Sequence, residues 1–142
     1  METYTEQKAR QQKEVNEFKG IFFAFNNDQF MEGLSVLEIT KDAAKTYICS
    51  LGAGGYILKS RSKDFSDMFK RHEAERKERK KEEKFLYESL LYELRNHEYC
   101  ITYDVNDALN ALGLSKNDID EKLLKKACEE ALVAERGLVC QN

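Results

Sequence analysis

The stretch from residue 62 to residue 97 contains nothing that ends a helix, and this constrains the fold more than any other feature. The chain has no proline, and no glycine occurs between Gly55 and Gly113. Because proline and glycine are the residues that most often end helices, the sequence predicts one helix over 62–97, about 50 Å long. Ser62 is a suitable N-cap for it.

The middle of this predicted helix is charged throughout. Residues 70–84 carry eight Lys or Arg against five Glu, a net charge of +3, and no large apolar residue. Since a helix docks on a core through an apolar face, we expect a solvated arm that protrudes from the body. The alternative is two core helices that such an arm joins.

Two regions rich in apolar residues predict a small antiparallel sheet. Residues 21–25 form an aromatic run that is typical of a buried strand. The apolar runs 46–51 and 56–59 flank Gly52–Gly55, which predicts a β-hairpin. Three strands are about the minimum for an independently stable sheet.

These elements together predict an α+β fold in a single domain over residues 1–142. The predicted segments are a helix over 2–19, a strand–helix–hairpin unit over 21–60, the long charged helix over 62–97 and C-terminal helices over 104–136. Within the strand–helix–hairpin unit, the helix is predicted over 28–38. Ser115 and Asp118 have the spacing of a capping box.

Composition places the chain among ordinary intracellular proteins. The N-terminus has no signal-peptide pattern and no segment has the length of a membrane span, which predicts a cytoplasmic protein without membrane contact. The four cysteines Cys49, Cys100, Cys128 and Cys140 are widely spaced. We therefore expect free, buried thiols and no zinc site.

The glycine run lacks the features of a nucleotide-binding loop. Leu58 stands before Lys59-Ser60 where a P-loop needs glycine, and Ile57 stands where a dinucleotide fingerprint needs its third glycine. We predict a hairpin turn and no cofactor. A loop in which Gly52, Gly54 and Gly55 contact a ligand is the alternative.

His97 and Glu98 begin like a zinc-protease motif, but Ile101 stands in place of the second histidine. His97 and Cys100 are close enough for a nucleophile pair, yet no orienting group or oxyanion site is identifiable. The sequence therefore predicts no catalytic residue and no metal ligand. A small enzyme built around His97 and Cys100 is the third of three functional hypotheses.

A row of lysines is the most informative feature for binding. Residues three and four apart share one face of a helix, so Lys77, Lys80, Lys81 and Lys84 predict a continuous basic stripe. Such a stripe suits an acidic protein surface or a nucleic-acid backbone, since lysine acts as a point charge. The alternative is a solvated helix face.

Three stretches together resemble a known group of sequences. They are Phe23-Ala24-Phe25 with Gln29-Phe30 and Gly33, then Gly52 to Tyr56, and Tyr92-Glu93-Leu94 with Asn96-His97-Glu98, Thr102, Asp104 and Ala111-Leu112-Gly113. This combination resembles an uncharacterised family of small proteins from gut bacteria, their phages and mobile elements. The resemblance covers about residues 22–113 and implies no activity, but it implies an accessory gene of a phage or mobile element.

The leading hypothesis is therefore a non-enzymatic accessory protein that binds a host macromolecule. The expected partner is a protein with an acidic surface or a nuclease complex, and inhibition of a bacterial defence nuclease, as by an anti-CRISPR protein, is one concrete form. The second hypothesis is a weak nucleic-acid-binding module that uses the lysine stripe. A homo-oligomer is compatible with all of these.

Overall fold

The computed structural model describes residues 1–135 and has the predicted α+β architecture, with a small antiparallel sheet, a long helix and a helical C-terminal part. The helices are α1 (Tyr4–Asn16), α2 (Asn27–Val36), α3 (Ala44–Tyr47), α4 (Ser62–Lys80), α5 (Glu83–Asn96), α6 (Tyr99–Thr102), α7 (Asn106–Ala111) and α8 (Glu121–Glu135). The strands are β1 (Ile21–Phe23), β2 (Ile48–Gly52) and β3 (Gly55–Leu58). Single 3-10 turns occupy Lys41–Ala43, Lys59–Arg61 and Lys116–Asp118.

The chain divides into two compact units. The first contains Met1–Ala9 and the described residues from Arg76 onward, and the second contains Arg10–Glu75. Both boundaries fall inside helices, within α1 and within α4. The single domain over residues 1–142 stays a prediction.

The sheet belongs to the second unit and has the predicted three antiparallel strands. Their order is β1-β3-β2, so the hairpin strand β3 is central, and its Ile57 is 0% exposed. The connecting turn has only two residues, Ala53 and Gly54, with φ angles of 49° and 83°. Positive φ at both positions is the geometry of a type I′ hairpin, which matches the twist of the strands.

Helix α2 packs on one face of this sheet through aromatic rings. The rings of Phe22 and Tyr56 stack with their centroids 5.4 Å apart, and Phe30 of α2 contacts both rings. Gly33 lets the helix approach closely, because a Cβ atom there would lie 2.1 Å from Cδ2 of Phe22. The helix ends at Val36, two residues before its predicted end.

This close approach predicts a large effect of a side chain at Gly33. Gly33→Val is expected to lower the free energy of unfolding by about 3 kcal/mol, because Phe22 is held between two other rings and overpacked cores lose stability. Ser35→Val on the exposed part of the same helix is the matched control and should cost only about 0.5 kcal/mol. Urea unfolding curves of the three proteins test this, and equal midpoints for both variants would contradict it.

The core of the first unit is helical. Helices α5, α7 and α8 contribute most of its buried side chains, which are Phe85, Leu90, Leu94, Ala108, Leu109, Ala127, Cys128 and Ala131. Leu112, directly after α7, is buried in the same core. Tyr4 of α1 belongs to the same cluster. The capping box of Ser115 and Asp118 is confirmed, although it begins a 3-10 turn and not α8 itself. The predicted helix end at Arg136 and Gly137 lies outside the described residues, as does Cys140.

The single helix predicted over 62–97 is wrong, because Lys81 and Glu82 separate α4 from α5. Glu82 has an extended backbone with φ −81° and ψ 119°. The guanidinium of Arg79 lies 4.3 Å from the ring centroid of Phe85, and its Nε lies 3.4 Å from Oε1 of Glu82. The packing of α5 in its core outweighs the local preference for one continuous helix. Nothing in the sequence indicates this break, because neither proline nor glycine occurs at it.

The charged helix is also less solvated than the sequence predicts. His72 is only 1% exposed, and its Nε2 lies 2.9 Å from Oε2 of Glu14. Gln11 donates from Nε2 to the carbonyl oxygen of His72, and Arg71 pairs with Glu14. Hydrogen bonds from His72 and Arg71 lower the pKa of Glu14. Polar partners from α1 therefore bury His72, although residues 70–84 contain no large apolar side chain.

Candidate functional site

Two phenylalanine rings are exposed at one end of the sheet. Phe23 ends β1 and is 65% exposed, and Phe25 follows two residues later and is 76% exposed. The prediction of a buried strand over 21–25 is therefore wrong for these two residues. Strand β1 alternates, so Phe22 faces α2 while Phe23 points to the other side of the sheet.

Glycines of the hairpin lie directly beneath the two rings. A Cβ atom on Gly54 would lie 2.4 Å from Cε1 of Phe25. A Cβ atom on Gly55 would lie 3.3 Å from Cε1 of Phe23 and 3.4 Å from Cβ of Leu51, which is 43% exposed. These five residues form what we call the aromatic hairpin surface.

Hydrogen bonds fix the backbone that carries this surface. The amide of Ala24 donates to the carbonyl oxygen of Gly54 at 2.8 Å. The amide of Phe25 donates to Oε1 of Gln29 at 2.8 Å, and the amide of Gln29 donates to the side chain of the N-cap Asn26 at 2.8 Å. The two rings are therefore attached to a defined backbone, although their faces are open to water.

A cleft of about 440 Å³ lies beside Phe25. Its lining residues are Ala24, Phe25, Asn26, Asn27, Phe30 and Tyr56. Phe30 and Tyr56 meet edge to face with centroids 5.0 Å apart, so the cleft has aromatic rings on more than one side. Two asparagines supply its polar groups.

Within residues 1–135, neither the aromatic hairpin surface nor the lining of the cleft includes a charged residue. Residues 20–27 and 46–58 are without Asp, Glu, Lys or Arg, although 35% of the whole chain is charged. Exposed single apolar residues are common, but an uncharged group of two aromatic rings and a leucine is typical of an interaction surface.

The comparison with known families agrees with the sequence resemblance at a coarse level. The family model of DUF7659, described as a family of unknown function, matches residues 3–132. The chain belongs to this family. No curated protein and no solved structure matches the chain. Membership in an uncharacterised family is thereby confirmed, and the DUF7659 match extends to both terminal helices, which lie outside the resemblance over 22–113.

In this DUF7659 protein, the three predicted loop glycines differ in their surroundings. Gly54 and Gly55 underlie exposed rings, whereas a Cβ atom on Gly52 would meet nothing within 4 Å. A contact of this loop with a ligand stays a prediction.

The four predicted binding lysines do not form a continuous stripe on one helix. Lys77 and Lys80 belong to α4, Lys81 lies in the break, and Lys84 belongs to α5. Lys80 is half-buried and donates to the carbonyl oxygen of Leu112, and Lys81 pairs with Glu78 at 2.9 Å. Lys77 and Lys84 are exposed. Their part in binding stays a prediction, but the stripe geometry is wrong because the helix is broken.

His97 belongs to a buried polar network that sequence reasoning missed. Glu93 is 1% exposed, and its Oε1 accepts from the hydroxyl of Tyr4 at 2.7 Å and from Nζ of Lys8 at 2.9 Å. Its Oε2 lies 3.3 Å from Nε2 of His97 and 3.4 Å from Nδ2 of Asn96. Asn96 and His97 follow Glu93 by three and four residues, and this spacing could have indicated that the three side chains share one helix face.

The network holds Glu93 in its charged form. Burial alone would raise the pKa of this carboxyl, but hydrogen bonds from Tyr4 and Lys8 and the charge of Lys8 outweigh burial and lower it. The same contact acts in the opposite direction on Tyr4, whose pKa is raised by burial and by Glu93. This arrangement anchors the start of α1 to α5 within the first unit.

The cysteines only partly follow the prediction of free thiols. Cys49 and Cys128 are free, and burial raises the pKa of the Cys128 thiol. Cys100 is disulfide-bonded, so the prediction is wrong for it. Sequence spacing could not reveal this, because tertiary folding brings the two sulfurs of a disulfide together. A disulfide sulfur offers no thiolate, which argues against a nucleophile pair of Cys100 with His97.

Among residues 1–135, no group of three or more His, Cys, Asp or Glu side chains is placed to hold a metal ion. Within the same residues, no helix combines the length and the apolar character that crossing a membrane requires.

Proposed function

We propose that this chain is a protein-binding module and that the aromatic hairpin surface is where the partner binds. The observation that carries the proposal is the exposure of Phe23 and Phe25 on glycines of a fixed hairpin. Because the backbone that carries the rings is already fixed, little backbone entropy is lost when a partner covers them. Burial of each ring would contribute about 1.5–3 kcal/mol to binding.

The lack of charged residues in the two segments that carry the rings favours a protein as the partner. Nucleic-acid-binding surfaces need Lys or Arg to replace the counterions of the phosphates, and residues 20–27 and 46–58 supply neither. Aromatic residues are enriched and lysine is depleted in the buried centre of protein interfaces. Uncharged apolar side chains of a protein partner would match this surface.

The biological role that we propose is non-enzymatic. An accessory protein of a phage or mobile element can act on a host simply by covering a surface of a host protein, and it needs no catalytic centre for this. Inhibition of a bacterial defence nuclease is the narrower form of the proposal. It rests on the resemblance over residues 22–113 and on the binding surface together.

Affinity capture from a bacterial lysate, with and without nuclease treatment, tests the proposal. The double variant Phe23→Ser/Phe25→Ser should capture about one tenth or less of the amount of protein that the wild type captures. The reason is that aromatic anchors carry much of the binding energy of an interface. Ile101→Ser, which changes a 55% exposed residue of the other compact unit, is the matched control and should capture normally.

A second arm separates the proposal from nucleic-acid binding. The variant Lys77→Glu/Lys84→Glu should capture the protein as the wild type does, and capture should change little between low and moderate salt. Capture that survives in the double phenylalanine variant, or that disappears with nuclease treatment or with the lysine reversals, would overturn the proposal. Loss of capture with nuclease treatment or with the lysine reversals would favour the lysine-based module.

A further inference from the structure

The cleft beside Phe25 has a definite shape and chemistry. Phe25, Phe30 and Tyr56 supply aromatic walls, and the asparagines Asn26 and Asn27 supply amide groups at the start of α2. Its volume of about 440 Å³ lies in the range of sites that hold a small ligand or a side chain.

The chemistry of the lining selects among possible occupants. None of the described residues that line the cleft is charged, so a carboxylate, an ammonium group or a phosphate would lose its hydration there without a compensating partner. An apolar side chain would instead exchange water for aromatic carbon. Asparagine amides can both donate to and accept from the peptide groups on either side of such a side chain.

The cleft is also continuous with the aromatic hairpin surface, because Phe25 belongs to both. A partner that covers Phe25 therefore also reaches the mouth of the cleft. We propose that the cleft receives one apolar side chain, of the size of leucine or phenylalanine, from an extended uncharged segment of the protein partner. This inference rests on the proposed function and adds to it the anchor that the partner must present.

The test uses capped amino acids and does not require the partner to be known. N-acetyl-phenylalaninamide and N-acetyl-leucinamide are titrated into the full chain, and amide signals are followed by two-dimensional NMR. We expect chemical-shift changes that saturate at millimolar concentrations of these amides. The affected amide signals should be those of Phe25, Asn26, Asn27, Phe30 and Tyr56. N-acetyl-glutamic acid amide and adenosine monophosphate should shift these signals at least about tenfold less, since each carries a charge.

Two tryptophan variants of α2 supply the control. Asn27→Trp places a large ring at the cleft and should abolish the shifts. Ser35→Trp makes the same change at an exposed position near the other end of the helix and should leave them unchanged. Spectra of both variants without ligand report whether each remains folded.

The outcomes separate this inference from the proposed function. If capture of a protein depends on Phe23 and Phe25 but the apolar amides cause no localised shifts, the anchor inference is wrong and the proposed function stands. Stronger shifts with adenosine monophosphate would also overturn the inference, in favour of a nucleotide. If the apolar amides bind but capture ignores both phenylalanines, the cleft is not the anchor of a protein partner.

Discussion

Glu93→Ala is expected to lower the free energy of unfolding by about 3 kcal/mol, because the buried hydroxyl of Tyr4 loses its acceptor and a cavity remains. The half-exposed Lys8 can turn to water and should add little to the loss. Glu88→Ala on the same helix, where Glu88 is not fully buried, should stay within about 0.5 kcal/mol of the wild type. Urea unfolding at neutral pH measures all three proteins.

The same variant should show a specific dependence on pH. Hydrogen bonds from Tyr4 and Lys8 hold the pKa of Glu93 below its ordinary value of 4.5 in the folded protein, despite burial. A carboxyl with a lowered folded-state pKa contributes its full stability above 4.5 and loses it as the pH falls through the folded pKa. The difference in stability between wild type and Glu93→Ala should therefore shrink in acid. A difference that grows as the pH falls below 4.5 would mean that burial dominates and that the carboxyl is neutral when folded.

The sequence predicted most of the helices and strands, but it predicted much less well which of their faces are buried. The hairpin around Gly52–Gly55 and the capping box of Ser115 and Asp118 follow from local chemistry and are confirmed. Residues 21–25 looked like a buried strand because four of the five are large and apolar. Only the period-two alternation of a strand, with Phe22 on one side and Phe23 on the other, indicates that half of such a run can face water.

The prediction of one continuous helix over 62–97 is wrong for the opposite reason. The residues of this segment favour a helix everywhere, so nothing local indicates the break at Lys81 and Glu82, which depends on the packing of Phe85 and its neighbours in a separate core. The sequence predicts that the polar face of this segment is solvated, yet His72 is buried against Gln11 and Glu14, which lie about sixty residues away in the sequence. Partners at such a distance along the chain leave no local pattern.

The glycines of the hairpin allow the binding role of Phe25 to be separated from the stability of the turn. Gly52 and Gly54 have nearly equal φ angles of 84° and 83°, so alanine at either position should cost about 1 kcal/mol of stability through backbone strain. Only Gly54→Ala places a methyl group 2.4 Å from Cε1 of Phe25, which forces the ring to move. In the capture assay, we expect Gly54→Ala to lose at least about tenfold in binding while Gly52→Ala binds normally.

A combination of variants identifies the cause of that loss. If Gly54 acts only by supporting the ring, Gly54→Ala should reduce capture no further once Phe25 is already serine, because the two changes then remove the same contact. Equal losses for Gly52→Ala and Gly54→Ala would instead assign the effect to strain of the turn. Normal binding by Gly54→Ala would show that the position of Phe25 on the hairpin is not what the partner recognises. A loss of binding by Gly54→Ala that vanishes in the Phe25→Ser background requires that Gly54 acts through the ring of Phe25. The hairpin then serves to keep this aromatic side chain exposed where the partner covers it.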